Sequence, residues 1–307
     1  MSEPTFLSLP SVVPDQLGHG AADVAILGIP FGVPYPTPGL AVGCAEAPTA
    51  VRARSQRLAR FGQHHDFDLD GPMLVSSPPL RIVDAGDVAG SAEDGAGNAA
   101  RAEAAVGALL DAGAVPVIIG GDDSVPIPVL RAYHGRGPLT VVQVDAHLDF
   151  RDEVAGVRDG YSSTMRRAAE MDHVERIVQV GLRGVGSARP SDVADARAAG
   201  NLLITARELR ERGVPWLLGE LPAGASVFIA FDTDGLDPSV ASAVSGLSPG
   251  GLSYDEAGDL LAGVAARCRV AGAAFTELVP SRDLNEVSTL VVVRLMMRLL
   301  AAIDRAR

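Results

Sequence analysis

Three runs of this sequence each end an apolar stretch in carboxylates. Val141–Asp149 reads VVQVDAHLD and carries Asp145, His147 and Asp149 at i, i+2 and i+4. Ser226–Asp237 reads SVFIAFDTDGLD, with Asp232 and Asp234 two apart. Val115–Ser124 reads VPVIIGGDDS and closes on two glycines, Asp122, Asp123 and a serine. In extended backbone, side chains two apart point to one side. On that reading Asp145, His147 and Asp149 project together from the end of a strand. Two carboxylates and an imidazole so placed can grip a hard or borderline divalent cation. The plain alternative for any one run is an acidic turn. Three such runs gathered in one place would repel each other unless a cation or ion pairs neutralise them.

The elements that must position these residues are legible as short apolar runs. Strands are expected at Asp23–Ile29, Arg81–Asp84, Val115 onward, Val141 onward, Arg176–Gly181, Asn201–Thr205, Ser226 onward and Val270–Leu278. Helical stretches fall at Ala47–Arg60, Glu93–Asp111, Val125–Tyr133, Tyr161–Met171, Ala206–Arg212, Ser253–Arg267 and Leu284–Ile303. Thr205 is placed to cap its helix, and Ser253 with Glu256 forms a capping box. Strands alternating with helices predict an α/β fold with one doubly wound parallel sheet. Ligands in such sheets sit outside the carboxyl ends of the strands. Residues 1–22 read as an N-terminal arm and 23–307 as a single domain. The proline-rich stretch Val33–Gly43 must be loop. The His64–Asp70 run, HHDFDLD, has no apolar strand to position it and reads as a solvated acidic loop rather than a metal site.

Composition narrows the function. The chain has 307 residues, 47% hydrophobic and 21% charged, enough for a sizeable core. A net charge of −12 argues against nucleic acid and favours a small cationic substrate. Cys44 and Cys268 alone imply no disulfide framework. The most apolar tract, Leu290–Leu300, is short and interrupted by Arg294 and Arg298, so no membrane span is expected. The N-terminus shows no signal-peptide pattern, and a cytoplasmic protein is expected.

Gly120-Gly121-Asp122-Asp123-Ser124, Asp145-Ala146-His147-Leu148-Asp149 and Asp232-Thr233-Asp234 together resemble the three signatures of the ureohydrolase family of arginases and agmatinases. Gly28-Ile29-Pro30-Phe31 and Phe275-Thr276-Glu277-Leu278 resemble that family's first and last strand ends. The resemblance implies a three-layer α/β/α sandwich around an eight-stranded parallel sheet, with two Mn²⁺ ions in the cleft. Carried over, Asp145 and Asp232 would bridge the ions. Asp123 and Asp149 would complete one, His147 and Asp234 the other. Asp149 would hold the attacking water and relay its proton, and Glu277 would receive the guanidinium fork. Urea and an amine would leave, with an agmatine-like compound as substrate. A homo-oligomer, trimeric or hexameric, is implied by the same analogy.

The chain departs from the family pattern in three places. Asp123 stands where the family usually has His. Ser162 and Ser163 stand where many members have a proton-moving His, and neither titrates near neutral pH, so they are assigned to binding substrate. The segment Ser242–Leu247 replaces a Pro-Gly-Thr-Gly-Thr-Pro loop. These departures keep two alternatives in view. One is a hydrolase of the same fold acting on another guanidine or amide, with Ni²⁺ in place of Mn²⁺. The other is a non-catalytic subunit of a hetero-oligomer.

Overall fold

A computed structural model describes residues 4–33, 35 and 42–307. Most of the Val33–Gly43 loop therefore lies outside the described residues. The strands are β1 (Val24–Ile29), β2 (Ile82–Asp87), β3 (Val115–Gly120), β4 (Leu139–Val144), β5 (Val174–Leu182), β6 (Leu202–Thr205), β7 (Ser226–Asp232) and β8 (Arg269–Thr276). The helices are α1 (Ala47–Ala59), α2 (Gly95–Asp111), α3 (Pro126–Arg131), α4 (Thr164–Ala169), α5 (Pro190–Ala198), α6 (Ala206–Arg212), α7 (Val214–Gly219), α8 (Tyr254–Arg267) and α9 (Val287–Arg305). The expected caps form: the Glu208 N–H donates to Thr205 Oγ1 at 3.1 Å, and Ser253 and Glu256 cap each other reciprocally.

All eight strands pair in parallel, in the order β2-β1-β3-β8-β7-β4-β5-β6. Strand alternation splits the core into two apolar layers. Val24, Ile26, Val142, Val144, Ile229 and Phe231 pack with α1, α6, α7, α8 and α9. Ala25, Leu27, Val141, Phe228 and Ala230 pack with α2, α3, α4 and α5. The result is a three-layer α/β/α sandwich. Each fully buried aliphatic side chain stabilises it by roughly 1.5–3 kcal/mol. Among the described residues no helix is long and apolar enough to cross a membrane.

Topology brings the chemistry together. The chain leaves a gap between β3 and β4, and β8 and β7 later fill it. The four strands that end in the singled-out residues, β3, β8, β7 and β4, thus become adjacent at the centre of the sheet.

The N-terminal segment is packed where it is described. Phe6 is fully buried, its N–H donates to Asp84 Oδ2 at 2.6 Å, and Ser11 bridges to Asp84. Tyr161–Met171 is not one helix: Tyr161–Ser163 forms a 3-10 turn before α4. The last helix begins at Val287, because Asn285 and Glu286 adopt left-handed backbone. Helices α5 and α7 were not anticipated from the sequence.

Candidate metal centre

The carboxylates converge by a different route from the one expected. Strand β4 stops at Val144, and Asp145–Asp149 is a turn rather than extended backbone. Asp145 Oδ1 accepts the His147 N–H at 2.5 Å, a side-chain turn that Asp favours. Asp149 has a positive φ of 44°, and its carbonyl accepts the N–H groups of Met165 and Arg166 at the start of α4. The turn, not the period-two alternation of a strand, aims these side chains inward. Asp232 and Asp234 repeat the device: the Asp234 N–H donates to Asp232 Oδ1 at 2.7 Å.

Just after β3, Gly121 lets the chain pass close to the end of β1. A Cβ there would lie 2.2 Å from the Pro30 carbonyl oxygen. Asp123 follows, with Oδ1 accepting the Thr276 hydroxyl at 2.7 Å. Glu277, at the end of β8, also has a positive φ, 63°. Its N–H donates to the Gly121 carbonyl, and its Oε1 accepts the Asp123 N–H at 2.9 Å. Two non-glycine residues in left-handed backbone, both at these strand ends, are a local cost that the surrounding bonds hold in place.

These residues surround one cleft of about 230 Å³, lined by Asp123, His147, Asp149, Asp232, Asp234 and Glu277. Two overlapping donor sets reach it, although the residue they share, Asp145, is fully buried and is not among its lining residues. Asp123, Asp145 and Asp149 form one, and Asp145, His147 and Asp234 the other, with ligand atoms in each set within 4.8 Å of one another. Asp145 belongs to both. Asp232 joins neither set but is buried beside them. His147 turns Nδ1 toward Asp234 Oδ2 at 3.1 Å and Asp145 Oδ1 at 3.4 Å. Its ring fits between Gly186 and Gly246, where a Cβ would approach to 2.7 and 3.1 Å.

The electrostatics fit divalent cations. Burial, and then the neighbouring carboxylates, push Asp123, Asp145, Asp149 and Asp232 well above the usual carboxylate range. Glu277 is pushed up to about 7 by burial and by Asp122. The hydrogen bond to Asp234 raises His147 to about 9. Arg183 is near, but its guanidinium is spent on the carbonyls of Gly181, Asp234, Gly235, Leu236 and Ser248. Asp123 Oδ2 is buried with no hydrogen-bond partner among the described residues, an acceptor left available to an ion. An acidic cluster with one orphaned oxygen and one imidazole suits a pair of hard or borderline ions.

Of the two serines singled out, Ser162 lines the cleft, while Ser163 is fully buried and is not among the lining residues. Its position on a 3-10 turn, not a regular helix, sets the two side chains apart. Tyr161, Ser187 and Ser245 line the cleft without having been singled out. Ser245 lies in the Ser242–Leu247 segment already noted as departing from the family pattern, Tyr161 opens the 3-10 turn that carries Ser162, and Ser187 had no signal but its place after β5. Cys44 is also new: its Sγ lies 3.8 Å from Glu277 Oε2 and 3.6 Å from Ser245 Oγ.

The sequence model described as the arginase family matches residues 22–302. The chain belongs to the arginase family. A guanidinopropionase from Pseudomonas aeruginosa is 30% identical over 303 residues, which cover 97% of this chain and 90% of that protein. The structure of proclavaminate amidino hydrolase from Streptomyces clavuligerus matches with a TM-score of 0.85 at 28% identity, over 100% of this chain and 99% of that one. A structure titled Trypanosoma cruzi formiminoglutamase with Mn²⁺ matches at 0.81 and 25% identity, over 100% of both chains.

Proposed function

We propose that this arginase-family chain is a metal-dependent amidinohydrolase that splits a guanidino compound into urea and an amine. The observation that carries the reading is the pair of donor sets sharing Asp145, directly beside Glu277. Asp123, Asp145 and Asp149 would hold one ion, and Asp145, His147 and Asp234 a second, with Asp232 completing the pair. Manganese is the first candidate, supported by the manganese-containing formiminoglutamase, and nickel the second. Bound together, such ions lower the pKa of a water enough for it to attack a guanidinium carbon at neutral pH.

The protein's own groups do the rest. Glu277 accepts two N–H bonds from the guanidinium, a planar, charge-assisted match. Asp149 takes a proton at its carboxylate and passes it to the departing nitrogen. Ser162, Tyr161 and Ser187 line the same cleft and offer hydroxyls to the rest of the substrate. An agmatine-like cation is the first substrate assigned, because the cleft floor is acidic. A guanidino acid is the second, favoured by the hydroxyls that Tyr161, Ser162, Ser187 and Ser245 add to the lining and by the guanidinopropionase relative. The assembly is proposed to be a homo-oligomer, which light scattering decides.

The test is urea release from agmatine, 4-guanidinobutyrate, 3-guanidinopropionate and arginine with added Mn²⁺ or Ni²⁺. Turnover of one member identifies the tail. Silence across the panel with both ions bound removes the amidinohydrolase reading.

A further inference from the structure

Beneath the metal centre three side-chain amides cross the sheet in a row. Gln143 on β4 and Gln179 on β5 are register partners, and Asn201 lies just before β6. Gln143 and Gln179 are 1% and 0% exposed, in the apolar layer with Val141 and Ile177. Unpaired, each buried amide would cost roughly 1–3 kcal/mol, so their bonding must be complete.

It is complete in one direction only. Asn201 Nδ2 donates to Gln179 Oε1 at 2.9 Å. Gln179 Nε2 donates to Gln143 Oε1 at 2.6 Å and to the Leu148 carbonyl at 2.8 Å. Gln143 Nε2 then donates to Asp145 Oδ2 at 2.6 Å and reaches Asp149 Oδ2 at 3.4 Å. Side-chain amides can be turned end for end. Here the Leu148 carbonyl, which can only accept, fixes Gln179 and through it Gln143. The donor end of Gln143 must face the carboxylates.

We propose that Asn201, Gln179 and Gln143 form a directional amide relay that positions Asp145 and Asp149 to hold divalent ions, with Gln143 the positioning residue. The inference rests on the metal-dependent reading above. One NH₂ group shared between two mutually repelling carboxylates keeps them together before an ion arrives. A neutral amide does this without competing for the ion, as a lysine or arginine there would. It engages Oδ2 of each carboxylate, and the carboxylate oxygens keep further lone pairs for ligation even where, as at Asp145 Oδ1, the His147 N–H also bonds. An apolar residue at 143 would let the two acids swing apart.

The experiment is a Mn²⁺ titration of chelator-stripped protein, read from the spin-resonance signal of the free ion. Gln143→Met keeps length and removes the donor. It is expected to weaken at least one ion by about 10–100-fold, the usual effect of losing a group that orients a ligand. Asn201→Ala, at the far end, weakens the same ion by a smaller factor. The double variant binds no more weakly than Gln143→Met, because both changes cut one chain. For Asn201→Ala, kcat lost at limiting Mn²⁺ returns at saturating Mn²⁺ with KM unchanged. Wild-type affinity in Gln143→Met, additive losses in the double variant, or a raised KM at saturating Mn²⁺ would overturn the relay. Should Gln143→Met fail to fold, unchanged affinity in Asn201→Ala overturns it alone. A wild type that binds both ions yet cleaves no guanidine sinks only the substrate reading. A wild type that binds no ion sinks both.

Discussion

The backbone N–H of Asp123 donates to Glu277 Oε1 at 2.9 Å, tying the end of β3 to the end of β8. One Glu277 oxygen is therefore fixed by the protein, and the other, Oε2, lies beside Cys44 in the cleft. Glu277→Gln keeps the acceptor for the Asp123 N–H but loses the charge that a guanidinium needs. A hydrogen bond to a charged group contributes about 1.5–3 kcal/mol, so kcat/KM is expected to fall roughly 10–100-fold. Metal content should stay at the wild-type level. Loss of bound metal in this variant would instead place Glu277 among the ligands.

Asp123 has one oxygen held by Thr276 and one with no partner among the described residues. Asp123→Asn preserves the shape and removes the charge. The donor set of Asp145, His147 and Asp234 does not include Asp123 and should still bind. The expected outcome is a drop from two ions per chain to one, counted by elemental analysis after gel filtration. Retention of both ions would show that Asp123 is not a ligand.

The strands were legible because each is a short apolar run, and the three acidic signatures because each closes such a run. What the sequence hid was local geometry. Asp145, His147 and Asp149 looked like one face of a strand, yet a turn and a left-handed Asp149 bring them together. Helix α5 was missed because Pro190–Ala198 is mostly Ala, Asp and Arg, with only Asp192 and Ala196 buried. Helix α7 was missed because Val214–Gly219 is too short for a period to show. Ser187 was invisible because its loop carries no motif; only the fold places it beside His147 in the cleft. Gln143 reads as one polar residue in a strand until Gln179, on the neighbouring strand, is seen to bond it.

Stability should depend on pH in opposite senses with and without metal. In the metal-free fold Glu277 titrates near 7, and Asp123, Asp145, Asp149 and Asp232 well above the usual range. The unfolded chain releases those protons near pH 4. Between the two the folded state binds more protons, so stability falls as pH rises. His147 acts in the same sense: raised to about 9, it stabilises fully below about 6.5 and loses that contribution as pH climbs through 9. Divalent ions require deprotonated ligands, so their stabilisation grows with pH. Melting of stripped protein is expected to drop from pH 5 to pH 8 while the gap to Mn²⁺-loaded protein widens. A stripped protein that melts higher at pH 8 contradicts this account.

The His64–Asp70 loop is held by charge. Arg294 on α9 donates to both Asp66 oxygens, at 2.5 and 2.8 Å, and to Asp68 at 2.7 Å. The arginine keeps Asp66 below the usual carboxylate range. Its contribution is present above pH 3.8 and is lost as pH falls through the lowered value. Arg294→Met should cost about 1–2 kcal/mol in urea unfolding at pH 7, more than an exposed pair because the fork is half-buried. Mn²⁺ affinity and KM should not change. A shift in either would mean that the loop communicates with the cleft.

The absence of a side chain at Gly186 makes room for the His147 ring. A Cβ there would stand 2.7 Å from His147 Cδ2, closer than the ring can accept, so the imidazole must turn. Nδ1 then leaves its place 3.1 Å from Asp234 Oδ2. Gly186→Ala is expected to weaken the ion held by Asp145, His147 and Asp234 by about 10–100-fold and to spare the other. Gly246→Ala, with a gentler 3.1 Å approach to Cε1, should weaken the same ion less. Gly107→Ala, in α2 with nothing within 4 Å, is the control. It should raise stability by roughly 0.5–1 kcal/mol and leave binding untouched. Equal effects of the three substitutions on Mn²⁺ affinity would remove His147 from the ligand set, because a Cβ at Gly186 or Gly246 meets its ring, the latter also coming within 3.4 Å of Asp234 Oδ2, and one at Gly107 meets neither.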